Sequence, residues 1–432
     1  MGAVDDLLKR HRAVAPGWLS LYYEHPIELV SGRGCVVTDS EGREYLDLFG
    51  GILTTMTGHA VPELVTAVQE QVGRLAHSST LYLSEPLVEA AETIAALSGI
   101  PDARVFFTTS GTEANDAALL LATTYRRSNQ VLALRNSYHG RSFSTMAITG
   151  NRSWSASSLS GLAVSYVHGG YRLRSPFRDL DDAAYTAACV RDLCDVIDMT
   201  TAGDVACMIA EPIQGVGGFA TPPDGFFGAM KTVLDQHDIL FVSDEVQTGW
   251  GRTGDHFWGY QAHGIVPDIL TFAKGVANGL PLGGVVARAE VMDAVQANSI
   301  STFGGNPVAI AAANANLRYV VDRDLQGNSR KIGHLLRERL APVVERTPWI
   351  AELRGRGLML AIETVQPGSI EPDAASAGAL LEAARERGVL VGKGGLYGNV
   401  IRIAPPLTLS EAEADRGAAA LIDAIEAVGA GT

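Results

Sequence analysis

The residue types that point first to chemistry lie in Pro267-Asp268-Ile269-Leu270-Thr271-Phe272-Ala273-Lys274-Gly275, where an apolar run of strand length ends on a lysine followed by glycine. The chain has five lysines, Lys9, Lys231, Lys274, Lys331 and Lys393, and only Lys274 directly follows such a run. An ammonium held against apolar surroundings has its pKa lowered, which frees the amine to attack an aldehyde and form a Schiff base. A lysine at a strand end is more often simply solvated, so the chemical reading depends on its company.

Three further stretches supply that company. Thr108-Thr109-Ser110-Gly111-Thr112-Glu113-Ala114-Asn115 follows one strand-like run and opens a helical one. Gly111 lets the backbone approach a ligand, the hydroxyls of Ser110 and Thr112 add donors, and the free N–H groups of a helix start suit a phosphate. An ordinary capped helix is the alternative. The run from Ile239 to Gln247 carries Asp244 at the end of a buried strand. A buried carboxylate is costly unless paired, and a ring nitrogen that must stay protonated is a good partner for it. A helix cap or a metal ligand are the other readings of Asp244. Against a metal, no His-Glu-x-x-His motif and no Cys/His cluster of zinc spacing occurs. The nucleophile elbow and the P-loop are absent as well. In Asn136-Ser137-Tyr138-His139-Gly140-Arg141, Tyr138 is either an ordinary packed residue or a stacking face for a flat ring. A phosphate site, a ring face, a partner for a ring nitrogen and an amine for an aldehyde carbon together describe pyridoxal 5′-phosphate (PLP).

These residues need a scaffold that brings them to one edge. From about residue 104 apolar runs alternate with helical segments. The candidate strands are Val105–Thr109, Val131–Arg135, Ala206–Ala210, Ile239–Ser243, Ile269–Phe272 and Gly284–Ala287. Such alternation predicts an α/β fold with a mostly parallel sheet and helices on both faces. Residues 1–59 read as an entry segment with short strands, including a strand-turn-strand from Val36 to Asp47, and Gly50, Gly51 and Gly58 mark a loop around Ile52. Helical spacing is expected over Pro62–Leu75, Glu85–Leu97 and Pro307–Asp322. A charged helix from Arg330 is expected to stop before Pro342. Residues from about 350 read as a second α+β unit, with strands at Gly357–Glu363, Val389–Val391 and Asn399–Ile403. The expected division is 1–59 and 326–432 for a small domain built from both ends, and 60–325 for a large cofactor-binding domain.

Composition narrows the function classes. In 432 residues, 47% are hydrophobic and 19% charged, which supports a sizeable core and excludes a disordered chain. The net charge of -14 argues against non-specific binding to nucleic acid or anionic membranes. No apolar run is long enough to span a bilayer. Met1 to Arg12 lacks the apolar centre of a signal peptide, and Cys35, Cys189, Cys194 and Cys207 show no disulfide-framework spacing, so a cytoplasmic protein with reduced thiols is expected.

With these residues in place, the chain resembles the class III, fold-type I aminotransferases. The match runs through S-G-T-E-A-N-D from Ser110, Y-H-G from Tyr138, A-E-P-I-Q-G from Ala210 and S-D-E-V-Q-T-G-W-G-R-T-G from Ser243. It continues through T-F-A-K-G, S-T-F-G-G-N-P from Ser301 and I-R-I-A-P-P from Ile401, in the family's order over nearly the whole chain. The resemblance implies a seven-stranded, mostly parallel sheet and a ping-pong transamination between an amino acid and a 2-oxo acid. By the same resemblance Lys274 forms the Schiff base and shuttles the proton, and Asp244 pairs with the pyridinium nitrogen. Val246 and Tyr138 cover the two ring faces, Gln247 contacts the phenolic oxygen, and Ser110, Gly111 and Thr112 form the phosphate cup. His139 and Glu211 fall at cofactor-binding positions too. Thr302 matches a residue that reaches the phosphate of a neighbouring subunit, which implies a homodimer with shared sites, or a tetramer of such dimers. Arg402 matches the clamp for the substrate α-carboxylate, and Glu211 a carboxylate that pairs with it when that carboxylate is missing. Within the family, Phe257-Trp258-Gly259-Tyr260-Gln261, Phe303-Gly304-Gly305-Asn306-Pro307 and Leu390-Val391-Gly392-Lys393-Gly394 are similar to the type-2 alanine–glyoxylate group, which also includes phospho-lyases. Arg141 departs from that group, matching an arginine that 4-aminobutyrate and ornithine aminotransferases use for a substrate carboxylate. With Ile52 at a substrate-facing position, it keeps an ω-amino acid donor in play.

Overall fold

The computed structural model describes residues 3–431, so the parts of the expected N- and C-terminal segments that fall on Met1, Gly2 and Thr432 lie outside the described residues. A seven-stranded sheet runs in the order Ala103–Thr108, Gly283–Arg288, Ile269–Phe272, Leu240–Asp244, Cys207–Ala210, Gln130–Leu134, Ala163–Val167. All its pairings are parallel except those of Gly283–Arg288, which is antiparallel to both neighbours. Its strands read as continuous apolar runs because both faces are covered. Val131, Ala133, Cys207, Ile209, Leu240 and Val242 pack with Ala118, Leu119 and Ala122 of the helix Gly111–Arg126. The alternate residues Leu132, Leu134, Met208, Ala210 and Phe241 face the other way, against the helices Asp182–Thr200 and Phe226–Gln236.

Two smaller sheets flank this core. Leu29–Arg33, Val36–Asp39 and Glu44–Asp47 form an antiparallel run that Val389–Leu390 joins in parallel, so one sheet draws on both ends of the chain. Ile350–Arg356, Met359–Thr364, Val400–Ile403 and Gly392–Gly394 form the other. The fold is thus α/β with a small α+β part, as expected.

Several local expectations are corrected. The entry segment holds the expected short strands, and a helix that was not expected, Ala3–Val14, precedes them. The strand Ala163–Val167 was not among the candidates; its edge position and half-exposed residues weaken its apolar signal. The charged helix runs from Leu325 through Pro342 to Arg346. Proline there removes one helical hydrogen bond and crowds the preceding turn at a cost of about 3 kcal/mol. Leu340, Val343 and Val344 on either side are buried in the main core, and their packing outweighs that cost. Gly50–Leu53 is a tight left-handed turn with φ of 55°, 57°, 68° and 59°, so a β-branched residue, Ile52, sits in a conformation that glycine normally occupies.

Candidate active site

Five of the six parallel strands, all ending on the same edge of the sheet, lead to the candidate residues, as in open α/β sheets generally. Asp244 is the last residue of its strand and is 3% exposed. Lys274 follows Phe272 by two residues, with φ of 48°. Glu211 follows Ala210, and Tyr138, His139 and Arg141 lie on the turn after Leu134. The helix Gly111–Arg126 starts after Thr108, capped by Ser110, whose Oγ accepts from the Glu113 N–H at 3.3 Å. Glu113 reaches back to the Thr109 N–H and hydroxyl at 2.8 and 2.7 Å, which satisfies the helix entry and pulls its carboxyl below the ordinary range against the opposing effect of burial.

Gly111, Thr112, Tyr138, His139, Arg141, Glu211, Asp244, Val246, Gln247 and Lys274 line one cavity of about 190 Å³, together with Asn115 and Gly140. Asp244 is held from three directions. Its Oδ2 accepts from Asn115 Nδ2 and lies 2.8 Å from His139 Nδ1, and its Oδ1 accepts from the Val246 N–H at 3.1 Å. Asn115 also donates to the His139 carbonyl at 2.8 Å and accepts from the Thr271 hydroxyl at 2.7 Å. Among the described residues the Lys274 amine has no hydrogen-bond or ion-pair partner, and burial lowers its pKa while Asp244 and Glu211 act the other way. Burial likewise pushes Glu211 up to about 7, although its oxygens accept from the Tyr138 and Gly215 N–H groups at 2.9 and 2.8 Å.

Arg402 is 3% exposed and lies beside this cavity, not in its lining. It donates to the carbonyls of Gly215 (3.3 Å) and Lys393 (3.0 Å) and lies over the rings of Phe49 and Phe219. It makes no ion pair with Glu211 among the described residues; the Glu211 oxygens accept from the Tyr138 and Gly215 N–H groups. Thr302 is exposed and lines no part of its own chain's cavity, while its neighbour Ser301 donates to Glu113. Ile52 is 46% exposed. Three contacts at the site carried no role in the sequence analysis: Asn115, and the aromatics Trp18 and Tyr22. Arg141 lies over the Trp18 ring at 5.6 Å, and Tyr22 Oη is 3.5 Å from Arg402 Nη2. Asn115 left a usable signal, an amide among the alanines and leucines of a buried helix face. Trp18 and Tyr22 left none.

These residues suit PLP. Buried polar atoms without partners among the described residues, His139 Nε2, Gln247 Oε1 and Arg402 Nε, cluster in or beside the cavity. A Cβ on Gly111 would lie 3.0 and 3.1 Å from the Val246 methyls, so only glycine lets the helix start come this close. The first N–H groups of that helix lack helical partners and are free for an anion. No group of three or more metal-ligating side chains occurs among the described residues, and no helix among them is long and apolar enough to cross a membrane.

Comparison with known proteins agrees with this geometry. The model of the family "aminotransferase class-III" matches residues 22–425. A mitochondrial alanine–glyoxylate aminotransferase 2 homolog of Arabidopsis thaliana is 39% identical over 416 residues, covering 95% of this chain and 84% of its own. A 5-aminovalerate aminotransferase of Pseudomonas putida is 36% identical, covering 96% of each. The PLP-bound structure of an amine transaminase from an uncultivated Pseudomonas species superposes with a TM-score of 0.89 at 31% identity, over 96% of this chain and 98% of that one. The chain therefore belongs to the class III aminotransferases, enzymes that use pyridoxal 5′-phosphate to move an amino group from a donor to a 2-oxo acid.

Proposed function

We propose that the amino donor is alanine and the acceptor a small 2-oxo acid such as glyoxylate or pyruvate. The observation that carries this reading is Arg402, a buried guanidinium whose Nε has no partner and whose charge acts on Lys274. It suits a carboxylate set beside the reacting amine. The Arabidopsis relative supports alanine and glyoxylate as the pair.

When bound, PLP supplies an aldehyde and an electron-withdrawing ring. Lys274 Nζ, its proton loosened by burial, is the nucleophile and moves the substrate proton. Asp244, fixed by Asn115 and His139, holds the proton on the ring nitrogen. Val246 and Tyr138 orient the ring, and Gln247 binds its phenolic oxygen. Ser110, Gly111 and Thr112 bind the phosphate. Thr302 reaches the phosphate of a second copy, giving a homodimer with shared sites, or a tetramer of such dimers. Glu211 engages Arg402 for donors without an α-carboxylate, and Ile52 faces the substrate. The same reading gives a small domain of residues 1–59 and 326–432, a large domain of 60–325, and a cytoplasmic location in keeping with four unpaired cysteines.

A second donor class, ω-amino acids such as 4-aminobutyrate, is favoured by Arg141, whose guanidinium-bearing side chain belongs to the cavity lining while Arg402 lies beside it, and by the Pseudomonas putida relative. The test is a spectral titration of the loaded enzyme with single amines and no 2-oxo acid. Alanine should bleach the visible band while the near-ultraviolet band of the aminated cofactor grows. A response to 4-aminobutyrate alone selects the second reading. A visible band that persists with every donor while ammonia or phosphate accumulates overturns both in favour of a lyase.

A further inference from the structure

A buried charge cluster lies behind the substrate side of the cavity, and its connections lead to Arg402. Glu363 is fully buried, and its side chain collects four partners. Arg354 Nη1 lies 2.5 Å from Glu363 Oε2 and 2.5 Å from Glu352 Oε1. The Tyr171 hydroxyl donates to Glu363 Oε1 at 2.7 Å, Asn399 Nδ2 donates to it at 3.2 Å, and Arg174 Nε stands 3.8 Å away. A buried ion pair of this kind is weak evidence for stability, since desolvation consumes most of the attraction. The reason for its presence is better sought in what it holds.

Arg354 Nε donates to the Gly218 carbonyl at 2.8 Å, and its Nη2 has no partner among the described residues. Gly218 closes the turn that begins at Gly215, its N–H donating to the Gly215 carbonyl at 3.2 Å. That same carbonyl accepts from Arg402 Nη1, and the Gly215 N–H donates to Glu211. The Val216 carbonyl accepts from the Gly395 N–H at 2.9 Å, tying the turn to the segment whose Lys393 carbonyl accepts from Arg402 Nη2. Both backbone acceptors of Arg402 therefore sit on segments joined at this turn, and the Tyr22 hydroxyl, 3.5 Å from Nη2, is its one further acceptor among the described residues. A guanidinium serves here where an ammonium cannot, because its rigid fork meets two carboxylates with one nitrogen and a carbonyl with another. The fit is tight: a Cβ on Gly218, at φ of 92°, would lie 3.0 Å from Arg354 Nη2.

We propose that Arg354, anchored by Glu363, is a positioning residue for Arg402, and that it sets the enzyme's preference for donors with a carboxylate over amines without one. The proposal rests on the reading of Arg402 as the carboxylate clamp.

The test compares the loaded wild type with Arg354→Lys, Glu363→Gln and Arg402→Lys. For each, kcat and KM are measured with alanine and with ethylamine, which is alanine without its carboxylate. Thermal stabilisation by propionate, a carboxylate with no amine to donate, is read alongside. Arg354→Lys should lower the alanine-to-ethylamine ratio of kcat/KM at least tenfold, mainly through the KM for alanine, and reduce the propionate shift. If Arg354→Lys fails to fold, Glu363→Gln, which keeps the shape of the cluster, should move the same ratio in the same direction. An equal loss with both donors, or an unchanged ratio, overturns the proposal and leaves the cluster structural. An unchanged alanine KM in Arg402→Lys overturns the clamp reading itself, whereas a raised alanine KM in Arg402→Lys beside an unchanged ratio in Arg354→Lys overturns the positioning role alone.

Discussion

Asn115→Asp tests the reasoning about Asp244 as a buried, hydrogen-bonded carboxylate. The substitution keeps the shape of the side chain and replaces an amide donor, 2.8 Å from Asp244 Oδ2, by a second carboxyl. Two carboxylates with charge centres about 4 Å apart repel by about 4 kcal/mol at an effective dielectric constant of about 20. That is about three pKa units, so the carboxyl introduced at position 115 keeps its proton up to about pH 7. Its folded pKa then stands above its unfolded value, near 4 for a free carboxyl. The deficit of the variant relative to the wild type therefore grows as pH rises through this window. We expect a gap of about 1 kcal/mol at pH 5 and about 4 kcal/mol at pH 8 from this effect, on top of a constant loss of about 1–3 kcal/mol for the His139 carbonyl left without its donor. Urea unfolding of cofactor-free wild type and variant at pH 5, 6, 7 and 8 measures both parts. Loading the cofactor should narrow the pH-dependent part, because a ring N–H offers the ionised pair a new donor. A gap that stays level from pH 5 to 8 would show that Asp244 is not held as a buried carboxylate, and the reasoning would fail.

Glu211→Gln should remove a pH dependence that the cofactor-free wild type carries. Burial raises this carboxyl to about 7, so its contribution is fully present below the unfolded carboxyl pKa and is lost as pH rises through about 7, a few kcal/mol in all; equal slopes for variant and wild type between pH 5 and 8 would refute the assignment. Ile52→Gly should raise stability by about 1 kcal/mol, since a left-handed β-branched residue is strained and this one is half exposed; a fall in melting temperature would mean the side chain packs more firmly than its exposure implies. Pro342→Ala restores a helical N–H at an exposed position and should raise the unfolding free energy by about 1 kcal/mol or more, read as a higher urea midpoint. A lowered midpoint would count against the account of that helix.

What could be read from the sequence divides along a physical line. Lys274, Asp244 and Gly111 were legible because each stands where an apolar run ends, and strand ends in a parallel sheet meet at one edge whatever the connections between them. That local signal carries backbone placement and no side-chain partners. Asp244 and Asn115 are 129 residues apart, and nothing near either announces the other. The same holds for Trp18 and Arg141, which are far apart in the sequence and meet only in the fold. Pro342 misled for the opposite reason: local preference was clear there, and packing overrode it. Arg402 combines the two cases. Its strand was legible as a short apolar run, and its motif pointed to a carboxylate. Its direction, however, is set by carbonyls of Gly215 and Lys393, and the turn carrying the first of these is held by Arg354 from another strand of the same small sheet. Substrate preference in this chain thus depends on a residue with no place in any motif, because an arginine buried among aromatic rings points wherever its few available acceptors direct it.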